Sequence, residues 1–146
     1  MFVNITRSVP AICGAGLLAA VFTVGASTVA SAQQRSTFQD SCSNIRYTEQ
    51  DGNAMIAADC RRSNGSVNAA TVVIKGIDNS EGKLTHTAGN NPSSFQRSCE
   101  NMSIQMGGPS GVMLMGSCRT SQGNYLDAST AIWDVNNIEG ELKYPY

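Results

Sequence analysis

Apolar positions along this chain come in short runs, cut by glycine, asparagine and aspartate at intervals of about 8 to 12 residues. Cys42 to Thr48 is a short mixed run, Gln50-Asp51-Gly52-Asn53 has turn chemistry, and Ala54 to Arg61 follows. Two runs of that length around a Gly-containing turn predict a β-hairpin. Asn64-Gly65 marks a further turn, and Val67 to Ile74 contains Thr71-Val72-Val73-Ile74, β-branched throughout, which predicts a strand. Asp78-Asn79-Ser80-Glu81-Gly82 breaks that path and Lys83 to His86 resumes it. Thr87 to Pro92 holds turn residues and no core candidates, and reads as a join. The same succession then returns: Cys99 to Met106, a turn at Gly107 to Gly111, Val112 to Cys118, and Tyr125 to Val135. No segment carries a helical period, so the pattern predicts an all-β protein.

The second succession is a copy of the first. Ser94-Phe95-Gln96-Arg97-Ser98-Cys99-Glu100-Asn101 repeats Thr37-Phe38-Gln39-Asp40-Ser41-Cys42-Ser43-Asn44 at five of eight positions, 57 residues on. Asn137-Ile138-Glu139-Gly140-Glu141-Leu142 repeats Asn79-Ser80-Glu81-Gly82-Lys83-Leu84 at an offset of 58. The offset grows by one between the first and second cysteine of each copy, which puts the extra residue in the hairpin turn, where insertions are tolerated. Repeat one spans about Thr37 to His86 and repeat two about Ser93 to Tyr146.

The chain begins differently. Arg7, an uncharged apolar run from Ala11 to Ala26, and Ala30-Ser31-Ala32 have the layout of a secretory signal peptide cleaved after Ala32. The run is shorter than the roughly 20 residues that span a bilayer, which argues against a retained anchor. The mature chain expected is Gln33 to Tyr146, 114 residues, secreted to an extracellular or periplasmic space. It carries nine Lys and Arg against eleven Asp and Glu, with no basic block, so neither nucleic acid nor an anionic membrane has electrostatic support as a partner. No second apolar run suggests a membrane span.

Cys13 leaves with the signal segment, and Cys42, Cys60, Cys99 and Cys118 remain. An even count in a secreted chain predicts two disulfides. Of the three pairings, the repeat favours Cys42–Cys60 and Cys99–Cys118, because each copy then closes its own loop. Loops of that length contribute on the order of 3 kcal/mol each by restricting the unfolded chain. A zinc site is the alternative, but there is no Cys-x-x-Cys pair and His86 is the only histidine.

Catalytic chemistry finds no residue set. A lone His at a repeat boundary supplies neither a triad nor a metal site, and there is no Gly-x-Ser-x-Gly or phosphate loop. Glu139 and Glu141 are two apart in a turn and read as solvated. Met102, Met106, Met113 and Met115 are expected to fill gaps in a small core. What remains is a set of Ser, Thr, Asn, Asp, Glu and Arg at the repeat ends, able to offer donors and acceptors to a polar ligand.

Taken in order and in duplicate, Ser/Thr-Phe-x-x-Ser-Cys-x-Asn, a hairpin ending in Cys-Arg, a β run and Asn-x-Glu-Gly-x-Leu resemble the cyanovirin-N family, over about Ser36 to Tyr144. The resemblance implies one all-β domain with internal pseudo-two-fold symmetry whose two repeats exchange strands, and a metal-independent, cofactor-free lectin for mannose-type oligosaccharides. It implies a sugar site at each end. By position the first would use Asp40, Ser41, Arg61, Ser63, Asn137, Ile138 and Glu139. The second would use Asp78, Asn79, Glu81, Ser93, Ser94, Arg97, Ser98, Arg119, Thr120, Ser121 and Gly123. The chain departs from the family's well-studied member at Arg61 and Arg97, where that member has an acid, at Thr37, where it has a base, and at Gly123, where it has a long amide.

The expected function is therefore a secreted, non-catalytic carbohydrate-binding protein whose partners are oligosaccharides or glycoproteins. The alternative is a module of the same fold that has lost or changed its sugar specificity and contacts a protein or surface polymer. The join at Thr87 to Pro92 also predicts a monomer that forms some domain-swapped dimer at high concentration.

Overall fold

The computed structural model describes residues 32–145. The expected signal segment, with Ala11 to Ala26 and Cys13, lies outside them.

Repeat one starts with a 3-10 turn, Phe38–Asp40, and then forms β1 (Cys42–Gln50), β2 (Asn53–Arg61) and β3 (Val67–Val73), an antiparallel sheet in that order. A separate hairpin follows, β4 (Ile77–Ser80) with β5 (Lys83–His86). Repeat two reproduces this. A 3-10 turn at Phe95–Arg97 precedes β6 (Cys99–Met106), β7 (Val112–Arg119) and β8 (Tyr125–Ala131), and the closing hairpin is β9 (Asn136–Ile138) with β10 (Glu141–Lys143). The extra residue of repeat two sits where the offset put it, in the turn at 107–111 against Asp51-Gly52. In place of one extended path from Val67 to His86 broken at Asp78 to Gly82, the chain turns a corner at Gly76 and begins a new hairpin there.

Each position of the duplicated motif has a structural reason. Phe38 and Phe95 are wholly buried, and burial of such a ring contributes about 1.5 to 3 kcal/mol. The amides of Gln39 and Gln96 donate to the carbonyls of Ser36 and Ser93 at 2.6 and 2.8 Å. Cys42 faces Cys60 and Cys99 faces Cys118 in strand register, and both pairs are disulfide-bonded. Asn44 and Asn101 adopt φ of 50° and 53° where the register slips between Ser43 and Arg46 and between Glu100 and Ser103. Asn tolerates that left-handed backbone better than most residues, and a bulge needs it.

The repeats exchange their hairpins. The β4–β5 hairpin of repeat one lies along β8, and the β9–β10 hairpin of repeat two lies along β3. Buried side chains from both copies form a single core, with Ile56, Ile74 and Ile77 beside Leu114, Ile132 and Val135. Tyr47 of β1 packs on Phe95 with ring centroids 6.3 Å apart. Two buried serines tie the exchange. Ser36 donates to the Ile132 carbonyl at 2.8 Å and accepts the Val135 N–H at 3.1 Å; Ser93 accepts the Ile77 N–H at 3.0 Å.

The methionines do not all fill the core. Met102 packs against it, whereas Met106 is 52% exposed at the end of β6, the edge strand of its sheet. No described helix is long and apolar enough to cross a membrane.

Candidate functional site

The exchange brings the two Asn-x-Glu-Gly segments onto the opposite copies, and so builds the two ends. At the first end, Asn137 donates to the Ser41 hydroxyl at 2.7 Å and to the Arg61 carbonyl at 2.8 Å, while its own oxygen accepts the Gly140 N–H at 2.8 Å. The Glu139 carboxylate accepts from the Ser63 N–H at 3.3 Å and hydroxyl at 2.9 Å. At the second end, Asn79 donates to the Ser98 hydroxyl and the Arg119 carbonyl, both at 2.8 Å, and accepts the Gly82 N–H at 2.9 Å. The Glu81 carboxylate accepts from the Ser121 N–H at 3.1 Å and hydroxyl at 2.9 Å, and these bonds hold it below the ordinary carboxylate value.

The glycine of each segment is what lets the hairpin tip approach. A Cβ on Gly82 would stand 3.2 Å from the Cys118 carbonyl and 2.9 Å from the Leu126 side chain; one on Gly140 would stand 2.8 Å from the Arg62 side chain and 3.0 Å from Cβ of Asn68. Both glycines also have φ near +80°, at 81° and 83°.

The expected site residues thus gather at two ends but divide by role. Asn79 and Asn137 use both donor hydrogens and their acceptor oxygen internally, so they fasten the ends. Ser93 is 4% exposed and supports its end from inside. Asp78 accepts from the N–H of Ser94 at 3.1 Å and from its hydroxyl, which steadies the 3-10 turn. Thr120 accepts the Gly123 N–H through its carbonyl at 3.0 Å and the Asn124 N–H through its hydroxyl at 3.2 Å, which closes the β7–β8 turn. Asp40, Ser41, Arg61 and Ile138 at the first end, and Arg97 and Arg119 at the second, are exposed, as are Ser63 with Glu139 and Ser121 with Glu81, which are bonded to each other, and Gly123.

The first end holds a shallow pocket of about 210 Å³ lined by Asp40, Ser41 and Arg61, with Cys42, Ser43, Asp59 and Val67. Asp59 and Val67 were not anticipated, because on β2 and β3 they read as ordinary outward strand residues. The signal that finds them is register: Val67 stands opposite Arg61, and Asp59 opposite Ser43. Tyr125, opposite Arg119, is the matching residue at the second end. Most of the large exposed apolar side chains cluster at the ends: Val67 and Ile138 at the first, Tyr125 and Leu126 at the second.

Such a surface offers donors and acceptors to a ligand. Hydroxyls, carboxylates and guanidinium groups lie side by side over a shallow floor, with apolar side chains at the rim. This suits a polyhydroxylated ligand, each of whose hydroxyls donates and accepts. Among the described residues no group of three or more His, Cys, Asp and Glu could hold a metal ion. His86 is exposed at the end of β5, within 3.1 Å of the Thr130 hydroxyl.

Residues 38–143 match the CVNH domain. No curated protein matches the chain. Among solved structures, T. borchii CVNH is 22% identical, with a TM-score of 0.59 over 75% of this chain and 99% of that one. Microvirin in complex with mannobiose is 20% identical, with a TM-score of 0.55 over 75% and 98%. A MoCVNH3 variant in complex with (N-GlcNAc)4 is 14% identical, with a TM-score of 0.56 over 78% and 100%. At these identities the likeness concerns the fold.

Proposed function

The chain belongs to the cyanovirin-N family, and from that membership we propose that it is a lectin: a non-catalytic, metal-independent carbohydrate-binding protein with one site at each end of the domain. The observation that carries the reading is the polar cup at the first end, where Asp40, Ser41 and Arg61 converge on one pocket that the Asn137 segment of the other repeat holds in shape. Family neighbours in complex with mannobiose and with (N-GlcNAc)4 support a saccharide as the ligand class. We take a mannose-type oligosaccharide as the ligand of the first end, with the pocket accepting one terminal residue.

Each hydrogen bond to a hydroxyl contributes about 0.5 to 1.5 kcal/mol net, so one shallow site binds weakly. Two sites on one body gain by avidity on a branched or clustered glycan. The protein acts outside the cytoplasm on this reading, secreted to an extracellular or periplasmic space after loss of residues 1–32. The two disulfides support that placement, since such bonds persist in oxidising compartments. The working form is a monomer, and the exchanged hairpins make a swapped dimer accessible at high concentration.

A glycan array probed with the mature protein tests the function. Binding to a subset of neutral oligosaccharides, retained in the presence of a chelator, is the expected result. Absence of binding to any oligosaccharide at high micromolar protein overturns it. A second reading has one observation in its favour: Asn79, Glu81, Asn137 and Glu139 spend their hydrogen bonds inside the protein. A module of this fold that contacts a protein or surface polymer would look the same, and a silent array together with a captured polymer would establish it.

A further inference from the structure

The two ends are equivalent in backbone. The Arg61 N–H donates to the Ser41 carbonyl at 3.0 Å, and the Arg119 N–H to the Ser98 carbonyl at 2.9 Å. Arg61 faces Val67 across the ladder, as Arg119 faces Tyr125. The side chains on that backbone differ. Where the first pocket has Asp40, Ser43, Asp59 and Val67, the repeat offset gives the second end Arg97, Glu100, Ser117 and Tyr125. Two carboxylates accompany one guanidinium at the first end; two guanidiniums accompany one carboxylate at the second.

The other acids near the second end have oxygens bonded within the protein, as Asp59 has to Asn44 and Glu139 to Ser63 at the first. Glu81 is held by Ser121, and Asp78 by Ser94. Asp127 accepts the Ser117 hydroxyl at 3.3 Å and lines the neighbouring groove on the outer sheet face with Ser103, Gln105 and Ser129. Among the described residues, the side chains of Arg97 and Arg119 make no hydrogen bond or ion pair; the ion pair present is Lys143 with Glu141. Tyr125 is 47% exposed opposite Arg119.

We propose that the second end recognises an acidic saccharide, a hexose unit bearing a carboxylate or a sulfate, while the first end takes a neutral one. This rests on the lectin reading above. Guanidinium groups bind planar or multi-oxygen anions in paired, charge-assisted bonds about twice as strong as neutral ones. The Tyr125 ring offers an apolar face to the C–H side of a sugar and a hydroxyl at its edge. Asp40 and Asp59 do the opposite work at the first end, since they repel an anion from an otherwise equivalent site. The protein is then a two-headed lectin that bridges a neutral and an acidic glycan rather than two copies of one.

Calorimetry on the purified protein tests this with three matched disaccharides: one ending in glucuronate, its neutral glucose counterpart, and a sulfated counterpart. The charged ligands should bind about tenfold more tightly than the neutral one at low salt, and the gap should shrink at high salt. The glucuronate and sulfate arms identify which anion the site prefers. Arg97→Asp should abolish the gap, Arg97→Lys should keep part of it, and the amide spectrum reports that each variant is folded. Equal affinity for charged and neutral ligands overturns the proposal, as does a gap that survives Arg97→Asp. If these three fail while array-positive oligosaccharides still bind, the acidic specificity alone is wrong; if no oligosaccharide binds, the lectin reading falls with it.

Discussion

At the first end Asn137 reaches from repeat two to Ser41 and Arg61; at the second, Asn79 reaches from repeat one to Ser98 and Arg119. Donors, acceptors and distances agree to within about 0.1 Å. Around the shared Arg61 and Arg119, several groups that face outward differ: Asp40 against Arg97, Asp59 against Ser117, Val67 against Tyr125. The copies have kept what fastens an exchanged hairpin and have diverged in what a ligand would meet. A polar residue equal in both copies and bonded to the opposite repeat is a fastening, Arg61 and Arg119 are an exposed group that both ends share, and a residue that differs is where specificity is to be sought.

That contrast can be broken at its strongest point first. Replacing both cysteines of either disulfide with serine should cost about 2 to 5 kcal/mol, measured by denaturant unfolding, and the two losses should be similar because the loops span 18 and 19 residues. A large loss in one half and none in the other would mean that the halves are not energetic equivalents. Next in size, Asn79→Ala and Asn137→Ala each strand two or more polar groups, at about 1 to 3 kcal/mol. Because each Asn sits in one repeat and fastens the other, amide exchange should rise around Ser98 and Arg119 for the first variant and around Ser41 and Arg61 for the second. Changes confined to the mutated repeat would contradict the exchange.

Gly82→Ala and Gly140→Ala should cost about 1 to 2 kcal/mol each, from the left-handed backbone alone, with closer packing adding to it. A thermal midpoint unchanged by either would show that the hairpin tips do not approach the opposite sheet as described. The exposed pair is predicted to behave otherwise: Asp40→Arg and Arg97→Asp should shift unfolding free energy by no more than about 0.5 kcal/mol while altering ligand preference.

The smallest effect is on pH. Glu81 has its carboxylate held below the ordinary value of 4.5 by the Ser121 bonds. A depressed acid contributes stability that is present above the unfolded value and lost as pH falls through the folded one. The Ser121 amide should therefore titrate with a midpoint below 4.5. A midpoint at or above that value would mean the bond does not persist in solution.

Much of this was legible in the chain because the repeat supplied register for free. Matching the two Cys-to-Cys spans fixed the hairpins, the pairing and the position of the extra turn residue. The exchange was legible only through family resemblance. The hydrophobic alternation of β4–β5 says that one face is buried, but the partner sheet is chosen by contacts such as Asn79 with Ser98, which leave no local mark. The sites were half legible for a related reason. Polar residues in turns look alike whether they fasten backbone, as Asn137 does, or face solvent, as Asp40 does. Strand residues such as Asp59 and Val67 look like plain surface until the register sets them beside Arg61.

The central claim is that saccharide binds at both ends, each built by both repeats. Titration of the labelled protein with array-positive oligosaccharides, read by two-dimensional amide spectra, tests it most directly. The account predicts saturable shifts in two separate clusters, one at Asp40, Ser41 and Arg61 with a neutral oligosaccharide and one at Arg97, Ser98 and Arg119 with an acidic one. Shifts gathered instead around His86, Trp133 and Tyr144, where a small mid-molecule cavity lies, or no saturable shift at any position, would contradict it.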